Sequence, residues 1–338
     1  MQYKILIIAP AWVGDIVMAQ TLFKAIKKQY GDTLVLDVFA PSFATGLISR
    51  MEEVDNIIIN PFPHGKLNLL QRIKLGFNLR KNNYNQVIVL PNSLKSAITP
   101  LFATIKKRTG FVGESRYVLL NDIYKLDKNK LPLMIDRFCA LANKGKKPDI
   151  IELPELLVDT VSQKLLLEKF NINIEMPIIV FCPAAEYGPA KRWPPEYFAK
   201  LADLLGGYQI VILGSSKDIE ISNSIISKIH NKTNVFDLCG KTSLSDTVDI
   251  LAMAKYVITN DSGLMHIACA TDTNVIAIYG STSTLFTPPL SKKAQTLQLK
   301  LDCSPCFERT CRFGHYNCLN KITPDLVMKR LSNPSLVL

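Results

Sequence analysis

Twice along this chain, short apolar runs alternate with stretches of helical periodicity, and that alternation limits the fold more than any other feature. The first series has apolar runs near residues 3–9, 33–39, 54–59, 86–90 and 108–112, with helical spacing between several of them, most clearly in LNLLQRIKLGFNLRKNN at 67–83. A polar segment, NKGKKPDIIELP at 143–154, interrupts it, and PELLVDTVSQKLLLEKF reads as a linking helix. The second series runs PIIVFCP, YQIVILG, NVFDLCG, AKYVITN and NVIAIYG, again with helical stretches between. Such alternation predicts parallel sheets covered by helices on both faces. At 338 residues the chain is too long for one ordinary core. The expectation is an α/β protein of two doubly wound, Rossmann-like domains facing each other across a cleft. The first is residues 1–170 with the linking helix; the second is 171–338, closed by a helix in ITPDLVMKRL whose threonine caps it ahead of a proline.

With 48% hydrophobic and 20% charged residues, the composition is that of a soluble globular protein. No apolar run approaches the roughly 18 to 20 residues that cross a bilayer. The opening MQYKILIIAPAW lacks the cleavage pattern of a secretory signal, so a cytoplasmic location is expected. The net charge of +11 is uneven: residues 1–170 hold 24 Lys and Arg against 15 Asp and Glu (+9), and residues 171–338 hold 16 against 14 (+2). Clusters such as KKR at 106–108 and KGKK at 144–147 suit an anionic partner, whether nucleic acid, lipid headgroup or phosphorylated substrate. A solvated lysine-rich surface is the plainer reading.

Parallel sheets place their chemistry in the loops after the strands. In APAWVGDIVMAQ, residues 9–20, Gly14 and Asp15 stand between the first apolar run and a helical stretch. Asp15 is either a helix N-cap or a base at the carboxyl end of a strand; its residue type fits both. TNDSGLMHIACA, 259–270, follows a strand and opens a helix with Ser262 and Gly263 in its first turn, where backbone amides carry partial positive charge and bind phosphate. His266 lies one turn on, along the same face. Asp261 as a cap and His266 as a packed core histidine are the alternatives there. CPAAEYGPAKRWPPEYF at 182–198 brings Lys191 and Arg192 to a strand end, and YGSTST at 279–284 brings a glycine and hydroxyls, Thr282 among them. A cation, a helix amino terminus and a hydroxyl loop converging on one sheet edge describe a diphosphate site that needs no metal.

Other motifs are excluded. GKTS at 240–243 is not a P-loop, which requires glycine at 235, where valine stands. No G-x-G-x-x-G follows the first apolar run, and no G-x-S-x-G nucleophile elbow occurs. Cys303, Cys306, Cys311 and Cys318 form C-x2-C-x4-C-x6-C with His315 between the last two. In a reducing compartment clustered thiols suggest metal before disulfide, yet this spacing is neither two CxxC knuckles nor a standard finger. Reduced, partly buried thiols are the alternative.

AWVGDIVMAQTLFKAIK, PAAEYGPAKRWP, GKTSL, NDSGLMHIACA and YGSTS, in this order and spacing, resemble the ADP-heptose:lipopolysaccharide heptosyltransferases, glycosyltransferase family 9. The resemblance spans nearly the whole chain, with no diagnostic motif in roughly 60–150. The AEYGPAKRWP loop and the cysteine segment resemble the branch that adds the second heptose. The resemblance implies a GT-B fold with an acceptor-binding amino-terminal domain and a nucleotide-sugar-binding carboxy-terminal domain. It implies ADP-heptose as co-substrate, no cofactor, and as acceptor the first heptose of the inner core on Kdo2-lipid A, at the cytoplasmic face of the inner membrane. Transfer in this family inverts the anomeric centre, and Asp15 matches the family's GD position as general base. Lys191, the amides near Ser262 and Gly263, and Thr282 then stabilise the departing diphosphate, with His266 and Asp261 also at the donor. Asp218, Lys241 and Thr242 are assigned to ribose and adenine. An acceptor rich in carboxylates and phosphates accounts for the +9 of the first half without nucleic acid, and the same charge predicts peripheral attachment to the membrane. The competing functions are the branch that adds the first heptose, another GT-B nucleotide-sugar transferase, and a non-catalytic metal- or redox-responsive binding protein on the same scaffold.

Overall fold

The structure is a computed structural model that describes residues 2–63 and 65–332. It divides into two compact units, Met1–Pro154 and Glu155–Leu338. The last residues of the expected closing domain, 333–338, lie outside the described residues. The division falls before residue 170 because the expected linking helix packs within the second unit. That helix is Thr160–Phe170, shorter than its periodicity suggests, since Asp159 caps it by accepting from the amides of Val161 and Ser162. Residues 155–159 have no regular structure; Leu156 N bonds to Ala270 O at 2.9 Å and Asp159 N to Asp249 Oδ1 at 2.9 Å. These bonds hold the segment in a form that propensity alone would have made helical.

In the first unit the strands are β1 (Tyr3–Ile8), β2 (Leu34–Pro41), β3 (Asn56–Asn60), β4 (Gln86–Val89), β5 (Lys107–Phe111) and β6 (Asp122–Tyr124). They form one sheet in the order β3-β2-β1-β4-β5-β6, every neighbouring pair parallel. Residues of β1 and β4 are buried on both faces (Leu6, Ile8, Val87 and Val89 on one side of the core), which is why these strands read as continuous apolar runs. The helix Val13–Tyr30 follows β1 and buries Ile16, Val17, Leu22, Phe23 and Ile26; it ends at Gly31, whose φ of 59° places it where a side chain is disfavoured. β6 gives no apolar run because its three residues are all half-buried.

The basic clusters are partly engaged by the fold. Arg108 donates to Leu119 O at 2.7 Å and Ile105 O at 2.8 Å, Lys107 pairs with Asp122 at 3.5 Å, and Lys147 pairs with Asp136 at 3.1 Å. Arg108 is half-buried, whereas Lys106, Lys107, Lys144, Lys146 and Lys147 are all exposed.

In the second unit the strands are β7 (Ile178–Cys182), β8 (Gln209–Ile212), β9 (Val235–Asp237), β10 (Tyr256–Asn260), β11 (Val275–Tyr279) and β12 (Ala294–Gln298). Their order, β12-β11-β10-β7-β8-β9, repeats that of the first unit when counted from β7. Trp193 and Phe198 seat the helix Pro195–Leu204 on this sheet, with ring centroids 4.8 Å apart, and Trp193 Nε1 donates to Ile322 O at 2.7 Å. The closing helix is Pro324–Ser332, and Thr323 Oγ1 accepts from Leu326 N at 3.4 Å, as the threonine-proline pair predicted. No helix of the described residues is long and apolar enough to cross a membrane.

Candidate functional site

In a doubly wound sheet the loops diverge where neighbouring strands connect to opposite sides, opening a crevice at their carboxyl ends. In the second unit that point lies between β7 and β10. β10 ends at Asn260, and the loop after it carries Asp261 and Ser262; the loop after β7 carries Lys191; the loop after β11 carries Thr282. The structure brings three of these side chains into contact. Lys191 Nζ lies 2.6 Å from Asp261 Oδ2, and Thr282 Oγ1 donates to the same oxygen at 2.6 Å. Asp261 is 3% exposed and Lys191 13%, so the pair is nearly dry. A charge pair in such surroundings is tightly held, and the ammonium keeps two further protons to donate. Lys191 also lies 5.5 Å from the centre of the Tyr187 ring.

Ser262, not Asp261, occupies the N-cap of the helix Gly263–Ala270. Its side chain makes no capping bond, and its hydroxyl sits 3.5 Å from Thr259 Oγ1. The first amides of the helix are therefore not covered by a capping side chain. His266 is buried one turn in, and among the described residues its Nδ1 has no hydrogen-bond partner. Burial pushes its imidazole down to about 4, with Asp261 opposing and Lys191 adding to the shift, so at neutral pH the ring is uncharged.

Asp218, Lys241 and Thr242 are placed differently. Lys241 Nζ donates to Asp237 O at 2.7 Å, Thr242 Oγ1 meets Thr247 Oγ1 at 3.4 Å, and Asp218 accepts from Ser215 N and Oγ. Their loops adjoin through Gly240 N to Gly214 O at 2.9 Å. Lys217 ties the first loop to Glu186 after β7 at 3.0 Å. They thus share the carboxyl edge of the sheet, but among the described residues none of the three bonds to Lys191, Asp261 or Thr282. Ser243 caps the helix Leu244–Met253 with Asp246, which fits the exclusion of a P-loop.

Two residues that sequence reasoning passed over, Asn260 and Arg116, and the glycine of YGSTST organise loops in the two units. Asn260 is fully buried: its Nδ2 donates to Pro183 O at 2.6 Å and its Oδ1 accepts from Trp193 N at 3.0 Å, clamping the loop after β7 from both ends. Its place beside Asp261 at a strand end was the available signal. Gly280 admits no side chain, since a Cβ there would lie 2.4 Å from Ala190 O; Ser281 N reaches that same oxygen at 3.0 Å. In the first unit, Arg116 is buried and donates to Pro91 O, Ser93 O and Phe111 O, holding the loop after β4 against β5; burial pushes its guanidinium down to about 10.

The first unit's own divergence point lies between β1 and β4. Asp15 stands there, half-buried, as the third residue of the helix Val13–Tyr30. Trp12 holds the N-cap position, so Asp15 is not the cap. Its position in the first turn still suits a negative charge.

Cys303, Cys306, Cys311 and Cys318 are all free thiols and line a cavity of about 20 Å3 together with Ala190 and Ser281. Among the described residues no three His, Cys, Asp or Glu side chains are grouped so as to hold a metal ion.

Comparison with known proteins adds independent findings. The family description "Glycosyltransferase family 9 (heptosyltransferase)" matches residues 72–317. Lipopolysaccharide heptosyltransferase 2 of Salmonella typhimurium is 42% identical over 339 residues, covering 97% of each chain. Lipooligosaccharide heptosyltransferase 2 of Haemophilus influenzae is 43% identical, covering 97% of this chain and 98% of the relative. The solved structure of E. coli ADP-heptose lps heptosyltransferase II is similar at a TM-score of 0.88 and 40% identity, over 97% of each chain.

Proposed function

The chain belongs to glycosyltransferase family 9, the heptosyltransferases, and on that premise we propose that it transfers L-glycero-D-manno-heptose from ADP-heptose to the first heptose of the inner core of Kdo2-lipid A. The observation that carries this reading is near-full-length identity with proteins named heptosyltransferase 2. The two doubly wound units are those of the GT-B class.

An acceptor hydroxyl attacks the anomeric carbon while the bond from that carbon to the ADP β-phosphate oxygen breaks. The configuration inverts, and the hydroxyl proton passes to Asp15. What supports Asp15 is its place at the divergence point of the first sheet and its match to the family's GD position. ADP departs with a full charge on the leaving oxygen. Lys191 meets that charge with protons left over from Asp261, and the amides of the helix Gly263–Ala270 add partial positive charge, while Thr282, whose one hydroxyl proton goes to Asp261, fixes the carboxylate that holds Lys191. The buried Asp261 carboxylate orients both Lys191 and Thr282. A neutral His266 offers a hydrogen bond without adding charge. These groups do the electrostatic work of a metal, so transfer needs none.

The acceptor is a lipid, and the protein works at a membrane surface. The helix Leu69–Leu79 supports this: Leu70 is 80% exposed and Leu69 and Phe77 are also exposed, beside exposed Lys66, Lys74, Arg80 and Lys81. Apolar side chains standing among lysines and arginine suit an anionic headgroup layer.

The test is ADP release from ADP-heptose in the presence of inner-core acceptor and chelator. Release that tracks acceptor concentration and ignores chelator is the expected result. Release only on adding divalent cation, or from UDP- or GDP-sugars in place of ADP-heptose, overturns the reading.

A further inference from the structure

The transfer reaction leaves the thiol cavity unused, although its wall is part of the donor loops. The segment carrying Cys303, Cys306 and Cys311 is strapped to those loops by two main-chain bonds, Phe307 N to Ser281 O at 2.7 Å and Ala190 N to Arg309 O at 3.0 Å, and by two side-chain bonds, Ser304 Oγ donating to Gly280 O at 2.8 Å and Tyr187 OH to Phe307 O. Ala190 and Ser281 precede Lys191 and Thr282 by one residue each. Whatever moves the strap moves the groups that meet the diphosphate.

The thiols are not equivalent. Cys311 sits in a tight turn whose amides, from Phe313 to Tyr316, are directed at its sulfur, with Gly314 and Tyr316 at positive φ to allow the wrap. The slight burial of this sulfur works against the thiolate, and the four amides outweigh it, drawing the thiol below its ordinary range. Arg312 lines the same cavity. Cys318, on the helix Asn317–Asn320, is pushed the other way by burial and by the neighbouring sulfurs of Cys306, Cys311 and Cys303. The remaining four cysteines are buried and their thiols raised by burial, Cys139 to about 11 and Cys239 and Cys269 to about 12. All four thiols line the same cavity, and Cys318 has the sulfurs of Cys306, Cys311 and Cys303 as neighbours.

We propose that Cys311 and Cys318 are an oxidation site that takes a hydroperoxide and closes to a disulfide, pulling the strap against the donor loops. The Cys311 thiolate attacks the distal peroxide oxygen; the O–O bond breaks, the other oxygen leaves as alkoxide or hydroxide and takes a proton from solvent, and Cys311 becomes a sulfenic acid. The Cys318 sulfur then attacks the sulfenic sulfur, its proton joining the departing hydroxide as water. Two thiols lose two electrons and one peroxide is reduced. Because the consequence for ADP rests on the donor-site reading above, the covalent product and the binding change are read separately.

The test uses the reduced full-length protein and a few equivalents of hydrogen peroxide. Tryptic digestion should yield residues 310–312 disulfide-linked to residues 313–321, and ADP affinity should fall by roughly 5- to 150-fold, the usual span of coupling between linked sites. A reducing dithiol should restore both. In Cys318→Ser, Cys311 should stop at a sulfenic acid trapped by dimedone; in Cys311→Ser the link should be absent, and both untreated variants should bind ADP as the reduced protein does. No link, a link through other cysteines, or a reduced protein that retains a metal ion and resists peroxide overturns the site. A correct link with unchanged ADP affinity overturns the coupling, whereas absence of ADP binding in both redox forms indicts the donor reading instead.

Discussion

Replacing Lys191 by methionine keeps the length of the side chain and removes the cation that lies 2.6 Å from Asp261 Oδ2. Asp261 is 3% exposed, so the variant leaves a carboxylate out of water with the Thr282 hydroxyl as its remaining side-chain donor. Breaking one side of a buried ion pair costs about 3–5 kcal/mol. For a unit of this size each kcal/mol corresponds to roughly 2–4 °C, so the second unit should melt about 6–20 °C lower. Asp261→Asn in the same background removes the stranded charge and should return most of that loss. ADP binding should not recover with it, because the lost charged hydrogen bond, worth about 1.5–3 kcal/mol, corresponds to roughly 10- to 150-fold in affinity. Two units need not unfold together, so the assay must report on the second alone. Trp193 does so: it is buried beside the site, and in a Trp12→Phe background it is the sole tryptophan of the chain. Fluorescence melts give the stability and titration calorimetry gives the affinity. Lys191→Met melting within about 2 °C of the parent with unchanged ADP affinity would refute both halves of the reasoning.

Asp15→Asn should leave ADP binding and the melting profile unchanged while slowing transfer by roughly 10²- to 10⁴-fold; near-normal turnover would remove it from the role of base. His266 is neutral in the folded protein down to about pH 4 and in the unfolded chain down to about 6.5, so the unfolded chain binds the extra proton first. Stability of the second unit should therefore be full above pH 6.5 and decline toward pH 4 by about 3 kcal/mol, and His266→Asn should flatten that slope in denaturant titrations. Vesicles with anionic headgroups should bind the protein less as salt rises, and Leu70→Ser with Lys74→Glu should weaken co-sedimentation without touching ADP affinity, whereas salt-independent binding would detach the helix Leu69–Leu79 from this role.

What the sequence made legible follows from burial. Strands such as β1, β7 and β11 are covered on both faces, so each announces itself as an unbroken apolar run. β12 does not: AQTLQ sits at the sheet edge with one fully buried residue, Leu297, and has neither run nor clear alternation. The site loops were readable because chemistry-bearing residues followed each central strand, and Lys191, Asp261 and Thr282 do meet. Their mutual bonding was not readable, since residues seventy positions apart in sequence are brought together by sheet order alone. The same holds for Arg116, whose buried guanidinium organises a loop more than twenty residues away. It also holds for the KKR cluster, where identical formal charges separate into two exposed lysines, one of them paired with Asp122, and one arginine turned onto carbonyls.

The central claim concerns which sugar goes onto which acceptor, and one measurement addresses it directly. The purified protein is given ADP-heptose with Kdo2-lipid A in one reaction and with its monoheptosyl derivative in another, and the lipid products are weighed by mass spectrometry. The account predicts that the monoheptosyl acceptor gains one heptose while Kdo2-lipid A is returned unchanged. A heptose added to Kdo2-lipid A, or to neither lipid while ADP is still released, would contradict it.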